Sequence, residues 1–113
     1  MSDDHIDRYS RAQAIADGVL HDVTEHSQPR GLRPALAIAH VAWCELVDTD
    51  DETGSLETRR DELIGEVIRV VQEQKNIQSD TIAFVYQAIP LYLRIHGGDD
   101  HAPVLTLMHQ RDL

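Results

Sequence analysis

A chain of 113 residues, 42% hydrophobic and 27% charged, has the size and composition of one folded domain. These figures argue against a two-lobed enzyme, a wholly disordered chain or a membrane-embedded one. Twenty Asp and Glu against ten Lys and Arg leave a formal net charge of −10, which disfavours direct binding to nucleic acid or to anionic membrane.

Residues 1–9 are acidic and polar, the opposite of the basic start and apolar run of an export signal, and read as a flexible lead-in. No stretch reaches the roughly 20 apolar residues needed to cross a bilayer. The single cysteine, Cys44, cannot form an internal disulfide, so a cytoplasmic location is expected. Ser10-Arg11-Ala12-Gln13 has the spacing of a capping box and predicts a short helix that stops at Gly18. Val19, Leu20 and Val23 then suit either a short strand or a helical turn. Ser27-Gln28-Pro29-Arg30-Gly31 is a predicted loop. Pro34 suits the first position of a helix, and the apolar residues that follow at nearly every position predict a central, buried helix over residues 34–47.

An acidic connection over residues 48–54 separates that segment from a second helix over residues 56–74. Here Leu63, Ile64, Val67, Ile68, Val70 and Val71 recur at spacings of three and four. β-forming residues follow at 81–86, 91–95 and 104–108, with Gly97-Gly98-Asp99-Asp100 as a hairpin loop and Pro90 and Pro103 at strand starts. The expected architecture is one α+β domain over residues 10–113, its N-terminal helices packed on a small C-terminal three-stranded antiparallel sheet.

Several constellations bear on chemistry. Asp48, Asp50 and Glu52 alternate as in a calcium loop, but the sharp-turn glycine is replaced by Thr53 and the closing acid by Arg59. His96, Asp99, Asp100 and His101 gather metal-ligating groups on one loop, with His109 nearby, although Gly and Asp are turn residues in their own right. His21 and His26, about 140° apart if helical, would not share a face. His40 and Cys44 would share one, the raw material of a thiol nucleophile, yet the helix that carries them reads as buried and no strand-to-helix elbow is evident. Phosphate-binding glycine loops, H-E-x-x-H and paired C-x-x-C are absent. Phe84, Tyr86 and Tyr92 read as half-buried sheet residues, since a basic groove to hold a strand's phosphates is lacking.

The charge itself points to function. Residues 1–56 carry 4 basic and 11 acidic side chains, against 6 and 9 in residues 57–113. Carboxylates spaced over a rigid surface can imitate the phosphates of a duplex and occupy a basic channel in a partner. Asp48, Asp50, Asp51 and Glu52, with Glu62, Glu66 and Glu73 on the long helix, are the candidate partner-binding residues. No catalytic residue, metal or cofactor is expected under this reading. The alternatives are a metal-binding protein or enzyme using the His96 to His101 loop, and a homodimeric regulator with an exposed sheet edge.

Tyr9-Ser10-Arg11-Ala12-Gln13-Ala14-Ile15-Ala16-Asp17-Gly18-Val19-Leu20, followed by Asp22-Val23-Thr24, resembles the opening signature of a small bacterial domain family of no assigned activity, carried on plasmids, prophages and integrating elements. Ala42-Trp43 with Val47, and Gly98-Asp99-Asp100 with residues 103–108, agree with it. The family's usual residue at position 21 is apolar and its closing loop usually lacks histidine, so His21, His96 and His101 are departures. The resemblance implies an accessory protein of a mobile element, a class that often acts against host defence by binding. The partner it implies is a protein with a basic surface, such as a host nuclease or CRISPR complex.

Overall fold

A computed structural model describes residues 10–49, 54–74, 80–98 and 102–113 of the chain. The N-terminal lead-in, most of the acidic connection and the tip of the last loop, including Asp50, Asp51, Glu52, Asp99, Asp100 and His101, lie outside the described residues. Ser10 opens the first helix as its spacing predicts. Its hydroxyl accepts the Gln13 backbone N–H at 3.0 Å, and α1 (Arg11–Ala16) ends before Gly18 turns the chain at φ +78°. The next segment takes the strand form of the two its sequence allowed, β1 (Leu20–Asp22), and a helical turn, α2 (Thr24–Ser27), follows it, running into Ser27 of the predicted loop. The Asp22 carboxylate joins them by accepting the backbone N–H and the hydroxyl of Thr24.

Residues 34–47 do not form one helix. Pro34 precedes a strand, β2 (Ala35–Ala39), and α3 (His40–Leu46) starts at the very next residue. The physical reason lies in the run Leu36-Ala37-Ile38-Ala39, all four residues of which are buried. A strand in the middle of a sheet covered on both faces is apolar without alternation, so its hydrophobic pattern cannot be told from that of a buried helix. Downstream, α4 (Leu56–Glu73) buries Leu63, Ile64, Val67 and Val70, the stripe read from its spacing. Strands β3 (Thr81–Tyr86), β4 (Ile89–Gly97) and β5 (Pro103–His109) contain the three predicted β segments.

The sheet has five strands in the order β1-β2-β5-β4-β3. Its β2–β5 pair is parallel and its other pairs are antiparallel. The α+β class therefore holds, but the expected three-stranded antiparallel sheet beneath N-terminal helices is wrong. Two strands come from the N-terminal half, and helices are distributed along the chain. One row of registered residues crosses all five strands: His21, Ile38, Leu107, Leu93 and Ile82. Side chains in such a row share a face, and the four aliphatic ones join the stripe of α4 in the main core. On the opposite face α1 reaches across the sheet, where Arg11 donates to the Thr106 hydroxyl and the Leu105 carbonyl, each at 2.8 Å.

Two end structures place the site. Tyr86 and Ile89 pair across a two-residue turn in which Gln87 and Ala88 both have positive φ, 52° and 66°. At the C-terminus a 3-10 turn (Gln110–Asp112) points the Asp112 carboxylate at the start of α3, where it accepts the Val41 and Ala42 backbone N–H groups at 2.9 and 3.0 Å. The same carboxylate accepts the His109 N–H at 2.9 Å, so one side chain ties the last strand to that helix. Among the described residues, no helix is long and apolar enough to cross a membrane.

Candidate functional site

The end of α3, the start of α4 and the β3–β4 turn enclose a concavity of about 330 Å³ lined by Glu45, Leu46, Thr49, Arg59, Glu62, Tyr86 and Gln87. Small-molecule pockets are usually lined by apolar and aromatic side chains with a few polar anchors. This lining is mainly polar, and Leu46 and Tyr86 are its only large apolar surfaces. Arg59, the cation within it, is turned to the backbone: its guanidinium donates to the carbonyls of Val47, Thr49 and Gly54 and so secures the chain on either side of the acidic connection. Glu45 is paired with Arg111. Glu62 is exposed and forms no ion pair among the described residues. Burial, then Glu62 and then Glu66, push the Tyr86 hydroxyl above its ordinary ionisation range.

The other candidate acids are divided. Asp48 is exposed just beyond α3, where its charge favours the protonated form of His21. Glu66 and Glu73 are both held by Arg69, at 2.6 and 2.7 Å, and the Arg69 hydrogen bonds keep the Glu66 carboxyl below the usual carboxylate range. The i, i+3 and i, i+4 spacing of these three residues brings them together on an exposed helix face. Beyond Glu62 the acidic face of α4 is therefore partly neutralised. Asp50, Asp51 and Glu52 fall outside the described residues. The concavity brings in Glu45 and Tyr86, which sequence reasoning did not select. Nothing in their local pattern marks them, because they meet Glu62 only through tertiary packing.

The histidine loop has a different character. His96 reaches the Thr106 hydroxyl through Nε2 at 2.9 Å and the Gly97 carbonyl through Nδ1 at 3.2 Å, and burial holds its imidazole below its ordinary protonation range. His109 accepts the Arg111 N–H at 3.0 Å within its 3-10 turn. Both rings are engaged in local hydrogen bonds, and among the described residues no three His, Cys, Asp or Glu side chains are placed to hold a metal ion.

A third cluster was legible only in part: the spacing joined His40 to Cys44 but not His21 to either. His40 and Cys44 lie on the exposed side of α3, not in a buried helix, because the strand and not the helix occupies the centre of the sheet. The strand-to-helix junction that the sequence did not reveal falls between Ala39 and His40. Registered opposite Ile38, His21 brings its Nε2 to 3.2 Å from His40 Nδ1, and His40 Nε2 lies 3.5 Å from Cys44 Sγ. The His21 ring stacks on Trp43 with centroids 4.5 Å apart and planes within 11°. Burial, and next His40, hold His21 below its ordinary protonation range, against a smaller opposing effect of Asp48.

No family model, curated protein or solved structure matches this chain.

Proposed function

We propose that this chain is a non-enzymatic binding protein that offers an acidic concavity, carried by Glu62 with exposed Asp48 just beyond α3, to a basic segment of a protein partner. One observation carries the reading. Glu62, unpaired among the described residues, lines a mainly polar concavity in which the Arg59 guanidinium donates to three backbone carbonyls. An arginine or lysine side chain entering there would meet the Glu62 carboxylate, the Tyr86 hydroxyl and the Thr49 region, while the arginines already present are engaged in ion pairs of their own. Arg30 and Arg60 pair with Asp61, Arg69 with Glu66 and Glu73, and Arg111 with Glu45.

Proteins that handle nucleic acid expose such basic segments, and the resemblance of the opening residues to a mobile-element family supports a host nuclease or CRISPR complex as the partner. Blocking by an acidic surface needs no cofactor and no metal. It also suits a cytoplasmic site of action. The test is parallel affinity capture from bacterial lysate with the wild type and an Asp48→Lys/Glu62→Lys double variant, both positions being exposed. The reading predicts a basic nucleic-acid-handling protein retained by the wild type, lost with the double variant and released by salt. Identical captures by both proteins would overturn it.

A further inference from the structure

We propose that the outer edge of β3 pairs antiparallel with the same edge of a second copy, joining two five-stranded sheets into one continuous sheet about a two-fold axis. β3 ends the strand order, and β4 takes only one of its sides. Two observations fix which of its backbone groups face outward. Pro90 has no N–H, so the registered pair Val85 and Pro90 is not one that exchanges two backbone bonds. The Ile95 N–H donates to the Asp80 carbonyl at 2.7 Å, which sets the same phase at the other end of the strand. Bonded positions alternate in an antiparallel ladder. Ile82, Phe84 and Tyr86 therefore turn their N–H and C=O groups to β4, while Ala83 and Val85 turn theirs away from the sheet. Among the described residues, no backbone group beyond the ladder bonds to either of these two.

Strand edges are normally shielded by brevity, charge, proline or a bulge. The opposite edge, β1, is three residues long and carries Asp22. β3 has none of these protections. Its six residues hold no charge and no proline and pair one to one along their whole length, and Val85 is 63% exposed. A second copy is the occupant that this strand itself specifies. With the axis through Phe84, Ala83 lies opposite Val85 of the partner subunit and Val85 opposite Ala83 of the partner subunit. Every outward N–H and C=O of the two residues then finds a partner. Half-buried Phe84 meets Phe84 of the partner subunit at a non-bonded position, where cross-strand side chains approach nearest. Opposed residues share a face in this register, so the core sides of both sheets stay on one side. The net charge of −10 on each copy opposes association, and an uncharged strand is where that opposition is least.

The test is sedimentation equilibrium of the full chain from micromolar to millimolar concentration, in low and high salt, with amide hydrogen exchange read residue by residue. A reversible monomer–dimer equilibrium is expected, stronger in high salt because the two copies repel. The Ala83 and Val85 amides are expected to exchange rapidly in dilute solution and to gain protection as the dimer forms. Val85→Lys charges the edge at an exposed position, and Ala83→Pro removes an outward N–H that the ladder to β4 does not use. Each is expected to weaken association about tenfold or more. Asp48→Lys/Glu62→Lys keeps the pairing, and salt strengthens it where salt releases the basic partner, so failure of the edge and failure of the acidic concavity are separate results. A chain that stays monomeric throughout would leave the edge to a different partner and overturn the pairing. So would a dimer whose Ala83 and Val85 amides stay unprotected or that both edge variants leave intact, or growth beyond two copies. Protection of both amides already in the dilute monomer would mean that the chain covers its own edge, and would overturn it equally.

Discussion

Tyr86 reports on the acidic concavity from inside it. Its phenol is half-buried, and the charges of Glu62 and Glu66 add to burial in opposing ionisation above the ordinary value near 10. Replacing Glu62 by Gln removes one of the two negative neighbours, so the Tyr86 ionisation midpoint is expected to move down toward 10, followed through its ring resonances. An unchanged midpoint would mean that Glu62 does not face the phenol. Single residues differ in how far they can be read without coordinates. The exposure of Glu62 follows from the 3.6-residue period of α4, and the Arg69 clamp on Glu66 and Glu73 follows from spacing alone. The meeting of His21 with His40, 19 residues apart, does not follow, because it depends on the register of β1 against β2. β1 was open between strand and helical turn in the sequence, and β2 reads there as helix.

Elements show the same division. α4 stands at the surface with one face buried, so its period is visible. β2 is covered on both faces, and its unbroken apolar run carries no period to read. The β3–β4 turn is a further case, because it needs left-handed backbone at two successive positions and neither Gln nor Ala favours it. The left-handed conformation costs roughly 1–2 kcal/mol for a residue with a Cβ. The double change Gln87→Asn/Ala88→Gly, which installs the residue pair preferred in such turns, is therefore expected to raise unfolding stability by about 1–2 kcal/mol in urea titrations. A loss of stability would show that the side chains of Gln87 and Ala88 contribute more than their backbone strain costs.

For the molecule as a whole, the histidines set a pH dependence whose sign is fixed by burial. His21 and His96 both have folded values below the ordinary 6.5. As pH falls through about 6.5 the unfolded chain binds protons at these positions before the folded one does, so folding stability declines until the lower folded values are reached. The Glu66 carboxyl, depressed by Arg69, adds a further loss when acid titrates it at lower pH. Urea midpoints are expected to fall between about pH 7.5 and pH 5.5, and to fall less steeply in His21→Phe. Equal slopes would assign the dependence to other groups.

The net charge of −10, a uniform property in composition, is unevenly expressed in three dimensions. Arg69 draws Glu66 and Glu73 into ion pairs, while Glu62 opens into a concavity without one among the described residues. Whether that concavity is a binding face or the charge serves solubility alone is decided by titrating the isotopically labelled protein with a short polyarginine peptide and following backbone amide resonances. The account predicts saturable shifts concentrated at Glu45, Thr49, Glu62, Tyr86 and Gln87 and abolished by Asp48→Lys/Glu62→Lys. Weak shifts spread evenly over exposed acids remote from the concavity, such as Asp22, Glu25 and Asp80, would contradict it.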